Sequence, residues 1–296
     1  MPTLHLFAGP NGSGKSTFAR EVENGTRSVD YPIPRVINPD VIAQRLNPTN
    51  PDAAAASAAR EALRQRSEAL LNRESFSIET TLSGHSELRL IDDARKAGYT
   101  VTMTYIALDS PEANVDRVNL RAEEEVRTVP VEDVRRRYDR SLNNFSRIVD
   151  RFDAVYVVDN SGRSFADVAT IEQGRVVTIA DLVPTWVERA LAPQLERVRD
   201  RIDVGREALT HLKAKTMLPQ TVCERRIPTD GSINGDAIVV GKHHVAIATS
   251  GKVFAVVERS ALDREINVGD NVRIVMQRAC GIVQPIERAQ ECDRNR

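Results

Sequence analysis

Aromatic residues are scarce in this chain, at 4% of 296 residues, and only three cysteines occur. Cys223, Cys280 and Cys292 fall late and far apart, with no Cys-x-x-Cys pair. That spacing argues against a zinc site or a disulfide framework and fits a reducing compartment. Neither sign of charge dominates: 41 basic against 42 acidic residues leave a net charge of -1. No global field therefore draws the chain to nucleic acid or to an anionic membrane. No apolar run approaches the roughly 20 residues of a membrane span. The opening Met1-Pro2-Thr3-Leu4-His5-Leu6 is not a basic segment followed by a long apolar one, as an export signal would be. A cytoplasmic protein with no membrane contact is the expectation. With so few aromatics, the core must rest on Ala, Val, Leu and Ile. At 41% hydrophobic and 28% charged, the composition is that of an ordinary globular protein.

The length suggests about two domains. In the first half, short apolar runs alternate with helical patterns. Strands are expected at Leu4–Ala8, Arg35–Asn38, Ser75–Glu79, Tyr99–Leu108 and Ala154–Val158. Asn50-Pro51 and Ser110-Pro111 pair a capping residue with proline at the first helical position, a helix-start signature. Val131, Val134, Tyr138, Leu142, Phe145 and Ile148 recur at three- and four-residue steps, which predicts an amphipathic helix. Strands alternating with helices give an α/β fold, a parallel sheet flanked by helices. From Leu191 to Leu212 a heptad-like seam broken by Gly205 predicts a helix. Its apolar face is expected to pack back on the α/β domain, with a spacer or dimer contact as the alternative. Beyond Pro228, β-like runs separated by turns at Asp230-Gly231, Asn234-Gly235, Ser250-Gly251 and Gly269-Asp270 predict a small all-β domain. The expected boundaries are an α/β domain over 1–190, a helical linker over 191–228, a β domain over 229–289 and a polar tail over 290–296.

Gly9-Pro10-Asn11-Gly12-Ser13-Gly14-Lys15-Ser16, followed by Thr17, fits G-x-x-x-x-G-K-S, a phosphate-binding loop between a strand and a helix. Its glycines let backbone N–H groups converge on phosphate oxygens, and the positive end of the following helix adds to them. Lys15 is expected on the β- and γ-phosphates and Ser16 as an oxygen ligand of Mg2+. No guanine-reading Asn-Lys-x-Asp sequence occurs, which favours ATP.

Polar residues at other strand ends suggest what accepts the phosphate, because strand C-termini face the ligand crevice of an open parallel sheet. Asp40, in Asn38-Pro39-Asp40, suits a general base or a metal contact; it equally suits a helix cap for Val41–Leu46. Glu79 and Thr81, in Glu79-Thr80-Thr81-Leu82, suit a hydrogen-bonding wall for a polar substrate, or a surface turn. Arg117 and Arg121 share a helical face, and Arg127 follows before Pro130. These arginines can stabilise charge on a transferring phosphoryl group or form a solvated face.

The ordered set of Gly9–Thr17, Asn38-Pro39-Asp40, Glu79-Thr80-Thr81-Leu82, the arginines of 117–127 before Val129-Pro130, and Val158-Asp159-Asn160-Ser161 resembles the zeta toxin family of P-loop kinases over about residues 1–190. The resemblance implies a kinase using ATP and Mg2+ to phosphorylate a sugar hydroxyl of a nucleotide sugar, with UDP-N-acetylglucosamine as the family's acceptor. It implies Asp40 as general base, Lys15 on phosphate, Glu79 and Thr81 on the acceptor, and Arg127 with Arg117 or Arg121 on the transferring group. It also implies a toxin with an antitoxin partner. Where related short proteins carry Gly-Gly-His, this chain has Glu125-Val126-Arg127-Thr128. A dinucleotide or nucleoside acceptor, or an ATP-dependent partner-binding module, stays open on the residues. The C-terminal β region is similar, more weakly, to KfrB-like small domains. With seven basic and six acidic residues over 231–289, it carries no phosphate-backbone signal. His243 and His244 are adjacent, so on a strand they point to opposite faces, which argues against one shared metal.

Overall fold

A computed structural model describes residues 1–84, 86–124, 130–227, 229–277 and 280–286. It divides into two compact units, Met1–Ala192 and Pro193–Arg296.

The first unit is built on a sheet of β1 (Thr3–Ala8), β2 (Val36–Ile37), β3 (Phe76–Thr80), β4 (Thr100–Ala107), β5 (Ala154–Asp159), β6 (Ala166–Glu172) and β7 (Arg175–Ile179). The order is β2-β3-β1-β4-β5-β6-β7. The first five strands run parallel, and β6 and β7 close the sheet antiparallel. The helices are α1 (Lys15–Glu23), α2 (Pro39–Leu46), α3 (Pro51–Asn72), α4 (Ser86–Lys96), α5 (Pro111–Glu124), α6 (Val131–Ile148) and α7 (Thr185–Ala190). Both expected proline starts are capped: Asn50 Oδ1 accepts from the Ala53 amide at 3.3 Å and Ser110 Oγ from the Ala113 amide at 3.2 Å. The 131–148 periodicity is α6, which buries Val134, Tyr138, Leu142, Phe145 and Ile148. The β6–β7 hairpin, turning at Gln173-Gly174, has no counterpart among the expected strands.

β1 lies between β3 and β4, so its neighbours diverge in connection there and a crevice opens outside its C-terminal end. The core around β1 includes polar side chains, with Ser77 and Thr104 fully buried on the neighbouring strands. His5 is fully buried, and its ring nitrogens lie 2.8 Å from Thr102 Oγ1 and 3.1 Å from Thr104 Oγ1. Thr104 Oγ1 is also 2.7 Å from the Tyr31 hydroxyl. Burial holds the imidazole far below its usual range, at about 3. It is a neutral bridge between strands, and it ties the loop before β2 to the sheet.

The second unit holds α8 (Ala192–Ala214) and a sheet of β8 (Cys223–Glu224), β9 (Gly231–Val240), β10 (His244–Ser250), β11 (Val253–Glu258), β12 (Asn271–Gln277) and β13 (Cys280–Pro285), in the order β13-β12-β9-β10-β11-β8. α8 packs on this sheet through Val204, Ala208 and Leu212, which cluster with Val239, Ala246 and Phe254, with Leu209 partly buried against them; of the expected seam only its end takes part in this cluster, and Ile202 is exposed. The expected turn at Asn234-Gly235 is instead the middle of β9. A Cβ at Gly235 would stand 2.0 Å from the Ala248 carbonyl oxygen; the glycine marks a close approach of two backbones, not a reversal. Asp200 of α8 accepts from the amides of Lys242 and His243 and from His244 Nδ1, at 2.8 to 3.0 Å. Burial works to raise its pKa, but these bonds outweigh burial and hold the carboxyl below its usual range. The two histidines thus staple a hairpin to a helix. No cluster of three metal-ligating side chains occurs among the described residues, and no described helix is long and apolar enough to cross a membrane.

Candidate functional site

The Gly9–Ser16 loop leaves the C-terminal end of β1 and leads into α1 at Lys15. Gly14 caps α1 in the left-handed region, at φ 96°. A Cβ there would meet Asn160 Nδ2 at 2.4 Å, because Asn160 donates a 2.9 Å hydrogen bond to the Ser13 carbonyl. Lys15 Nζ donates to the Pro10 carbonyl at 2.8 Å, so the ammonium folds back over its own loop.

Ser16 Oγ donates to Glu79 Oε2 at 2.6 Å, and the other oxygen of the same carboxylate, Oε1, accepts from Asn38 Nδ2 at 2.7 Å. Glu79 therefore joins the first turn of α1 to the turn before α2. Asn38 Oδ1 accepts from the Asp40 amide at 2.8 Å and caps α2. The cap of α2 is therefore Asn38, and Asp40 is an exposed residue of the helix's first turn. After β3 the chain turns sharply. Leu82 is fully buried at φ 55°, in a region that costs a branched residue of order 1 kcal/mol or more. It is held by Thr80 Oγ1 on its amide at 2.9 Å and by Asn144 Nδ2 of α6 on its carbonyl at 2.8 Å. Thr81 Oγ1 lies 2.7 Å from Ser83 Oγ on this turn.

On the other side of the loop, a cavity of about 440 Å³ is lined by Gly12, Gly14, Thr17, Arg27, Asn160 and Phe165, with Arg117 and Arg163 at its walls. The Arg27 guanidinium stands 4.8 Å from the Phe18 ring centroid and 5.0 Å from that of Phe165, and pairs with Glu21 at 3.3 Å. Three arginines around an apolar shelf suit a polyanion carrying an aromatic base. Arg117 Nη2 donates to the Asn160 carbonyl at 2.7 Å. Asn114, one turn earlier on α5 and fully buried, donates from Nδ2 to the Asn11 carbonyl at 2.5 Å. Together they dock α5 on the phosphate loop. Arg121 lies on α5 with its side chain outside the described residues, and Arg127 lies outside them altogether.

Asn114, Arg27, Arg163 and Phe165 were not singled out in the sequence. Asn114 carries no motif, and the other three reach the cavity from loops whose course the local pattern does not set.

The residues fit a magnesium ion on the chemistry of the donors. Ser16 and Glu79 put a hydroxyl and a carboxylate together at the foot of the loop. One or two protein oxygens completed by phosphate oxygens and water is how this hard cation is usually held.

The zeta toxin family model matches residues 1–169. An uncharacterised protein of Haemophilus influenzae is 33% identical over 116 residues, which is 39% of this chain and 78% of that protein. Among solved structures, the AvrRxo1-ORF1–AvrRxo1-ORF2 complex with ATP is similar at a TM-score of 0.48 and 17% identity, over 74% of this chain and 73% of that one. The PezAT chromosomal toxin–antitoxin system of Streptococcus pneumoniae is similar at 0.41 and 18%, over 56% and 70%. With its family match covering more than half its length and its phosphate loop set at the end of β1, this chain belongs to the zeta toxin family.

Proposed function

We propose that the first unit transfers the γ-phosphoryl group of ATP·Mg2+ to a hydroxyl of a small molecule, and that the acceptor is a nucleotide sugar of the UDP-N-acetylglucosamine kind. The observation that carries this reading is the Glu79 carboxylate shared between Ser16 and Asn38. It joins the phosphate side of the site to the turn bearing Asp40, so donor and acceptor ends meet at one residue.

Mg2+, when bound, neutralises charge on the β- and γ-phosphates and screens it from the attacking oxygen. Ser16 is the residue to hold it, with Glu79 orienting the Ser16 hydroxyl. Lys15 leaves the Pro10 carbonyl for the phosphates. Asp40 accepts the proton of the attacking hydroxyl. Thr81, and Glu79 through its place on the same wall, position the acceptor. Arg117 supports charge on the transferring group, with Arg121 and Arg127 as the further basic residues of that segment. The cavity of Arg27, Arg163 and Phe165 takes the nucleoside end of the donor. A toxin role with an antitoxin partner rests on membership of the family.

The test is incubation of purified protein with ATP labelled in the γ-position and a panel of UDP-sugars, nucleosides and dinucleotides. Label in a UDP-sugar supports the reading. Label in a nucleoside or dinucleotide keeps the kinase and replaces the acceptor. Hydrolysis with no labelled acceptor contradicts it. For toxicity, a bacterial host expressing wild type should grow more slowly than one expressing Lys15→Ala; equal growth argues against it.

A further inference from the structure

We propose that Trp186 is a positioning residue for the phosphate loop, acting on it through the Asp159–Asn160 turn. Trp186 is the only tryptophan in the chain and lies on α7, beyond the 1–169 span of the family match. Its ring is almost fully buried, 5.9 Å from Tyr105, which itself stacks on Phe145 of α6 at 3.9 Å. The buried indole needs an acceptor and finds a charged one: Nε1 donates to Asp159 Oδ1 at 2.7 Å. Asp159 ends β5. Its two oxygens also accept from Ser161 Oγ at 2.8 Å and from the Ser161 amide at 3.1 Å. Ser161 Oγ in turn accepts from the Asp109 amide at 2.8 Å.

The residue enclosed by this turn is Asn160. Its amide donates to the Ala107 carbonyl at 2.9 Å, its side chain to the Ser13 carbonyl at 2.9 Å, and its own carbonyl accepts from Arg117. The bonds around Asp159 fix the turn, and the turn fixes the Asn160 side chain, which grips the phosphate loop at Ser13 as Asn114 grips it at Asn11. They also fix the carbonyl that holds Arg117. Packing alone would be satisfied by any large ring at 186. The charged hydrogen bond to a residue adjacent to Asn160 adds an orientation that packing does not supply.

The proposal rests on the loop being the ATP site, and the test separates the two. ATP·Mg2+ affinity is measured by calorimetry for wild type, Lys15→Ala, Trp186→Phe, Asn160→Ala and the double variant Trp186→Phe/Asn160→Ala, with melting temperatures recorded alongside. Wild type that does not bind ATP contradicts the site itself. Given binding, Trp186→Phe keeps the ring and loses the donor, and affinity should fall on the order of tenfold, the scale of one hydrogen bond to a charged group. In the Asn160→Ala background the same change should cost clearly less, because the side-chain route to the loop is already cut and only the backbone carbonyl that holds Arg117 remains. Asp159→Ala removes the bond from its other end and should weaken ATP in the same way; it decides the matter if Trp186→Phe does not fold. Wild-type indole emission should also change on ATP binding and stay unchanged in Lys15→Ala. Unaltered affinity in both Trp186→Phe and Asp159→Ala, or an undiminished effect of Trp186→Phe without Asn160, would overturn the proposal.

Discussion

Ser16 Oγ donates a 2.6 Å hydrogen bond to Glu79 Oε2, across 63 residues of sequence, from the first turn of α1 to the C-terminal end of β3. The bond places a carboxylate directly behind the hydroxyl expected to hold magnesium. Glu79→Gln keeps the shape and removes the charge. Turnover should fall about 10- to 100-fold, the usual cost of losing an outer-shell partner of a metal ligand. The Mg2+ concentration for half-maximal rate should rise. A rate and Mg2+ dependence equal to wild type would remove Glu79 from the metal side.

Gly14→Ala tests the fit of the loop. At φ 96° and 2.4 Å from Asn160 Nδ2, an added methyl must displace the Asn160–Ser13 bond. Stability of the first unit should fall by more than about 1 kcal/mol, and calorimetric ATP binding should be lost. Binding at wild-type affinity would mean that Asn160 is not needed where it stands.

The acceptor side has its own control residue. Asn144→Ala frees the Leu82 carbonyl and leaves a strained turn with one support fewer. The KM for the acceptor should rise on the order of tenfold while the KM for ATP stays put. Equal rises in both would point to general loosening of the fold.

His5 gives the first unit a pH dependence. Burial pushes its pKa down to about 3 from the ordinary 6.5. Between those values the unfolded chain binds a proton that the folded chain does not, so stability rises with pH through that window. The contribution is fully present above about pH 6.5 and is lost progressively as pH falls toward 3, on the order of 5 kcal/mol in all. Urea melts followed by Trp186 emission should show this fall, and His5→Gln should flatten it. Equal pH slopes for the two proteins would place the dependence elsewhere.

The sequence carried the parts of the site that depend on local pattern. The loop's glycines, Lys15 and Ser16 are contiguous, and Asn38-Pro39-Asp40 and Glu79 sit at strand ends that alternation already revealed. What it could not show is which groups touch. At Asp40 the spacing suits a base and a cap alike, and the structure gives the cap to Asn38. Glu79 suits an acceptor contact on spacing alone, and the structure adds its bond to Ser16. Arg117 and Arg121 share a helical face; the structure gives Arg117 its contact with the Asn160 carbonyl, and the Arg121 side chain lies outside the described residues. The β6–β7 hairpin escaped because β7 is exposed along most of its length, so no buried alternation marks it. Asn234-Gly235 misled in the opposite sense, since a glycine needed for close packing has the same letters as a turn.

The account's central claim is that Asp40 and the Glu79 bridge make one phosphoryl-transfer site. The most direct measurement is the destination of the γ-phosphoryl group in single-turnover reactions of wild type and Asp40→Ala with UDP-N-acetylglucosamine. The account predicts label in the sugar nucleotide with wild type, and with Asp40→Ala intact ATP binding but transfer slower by roughly 10²- to 10⁴-fold, the range for loss of a general base. Transfer at the wild-type rate in Asp40→Ala, or label released only as inorganic phosphate by wild type, would contradict it.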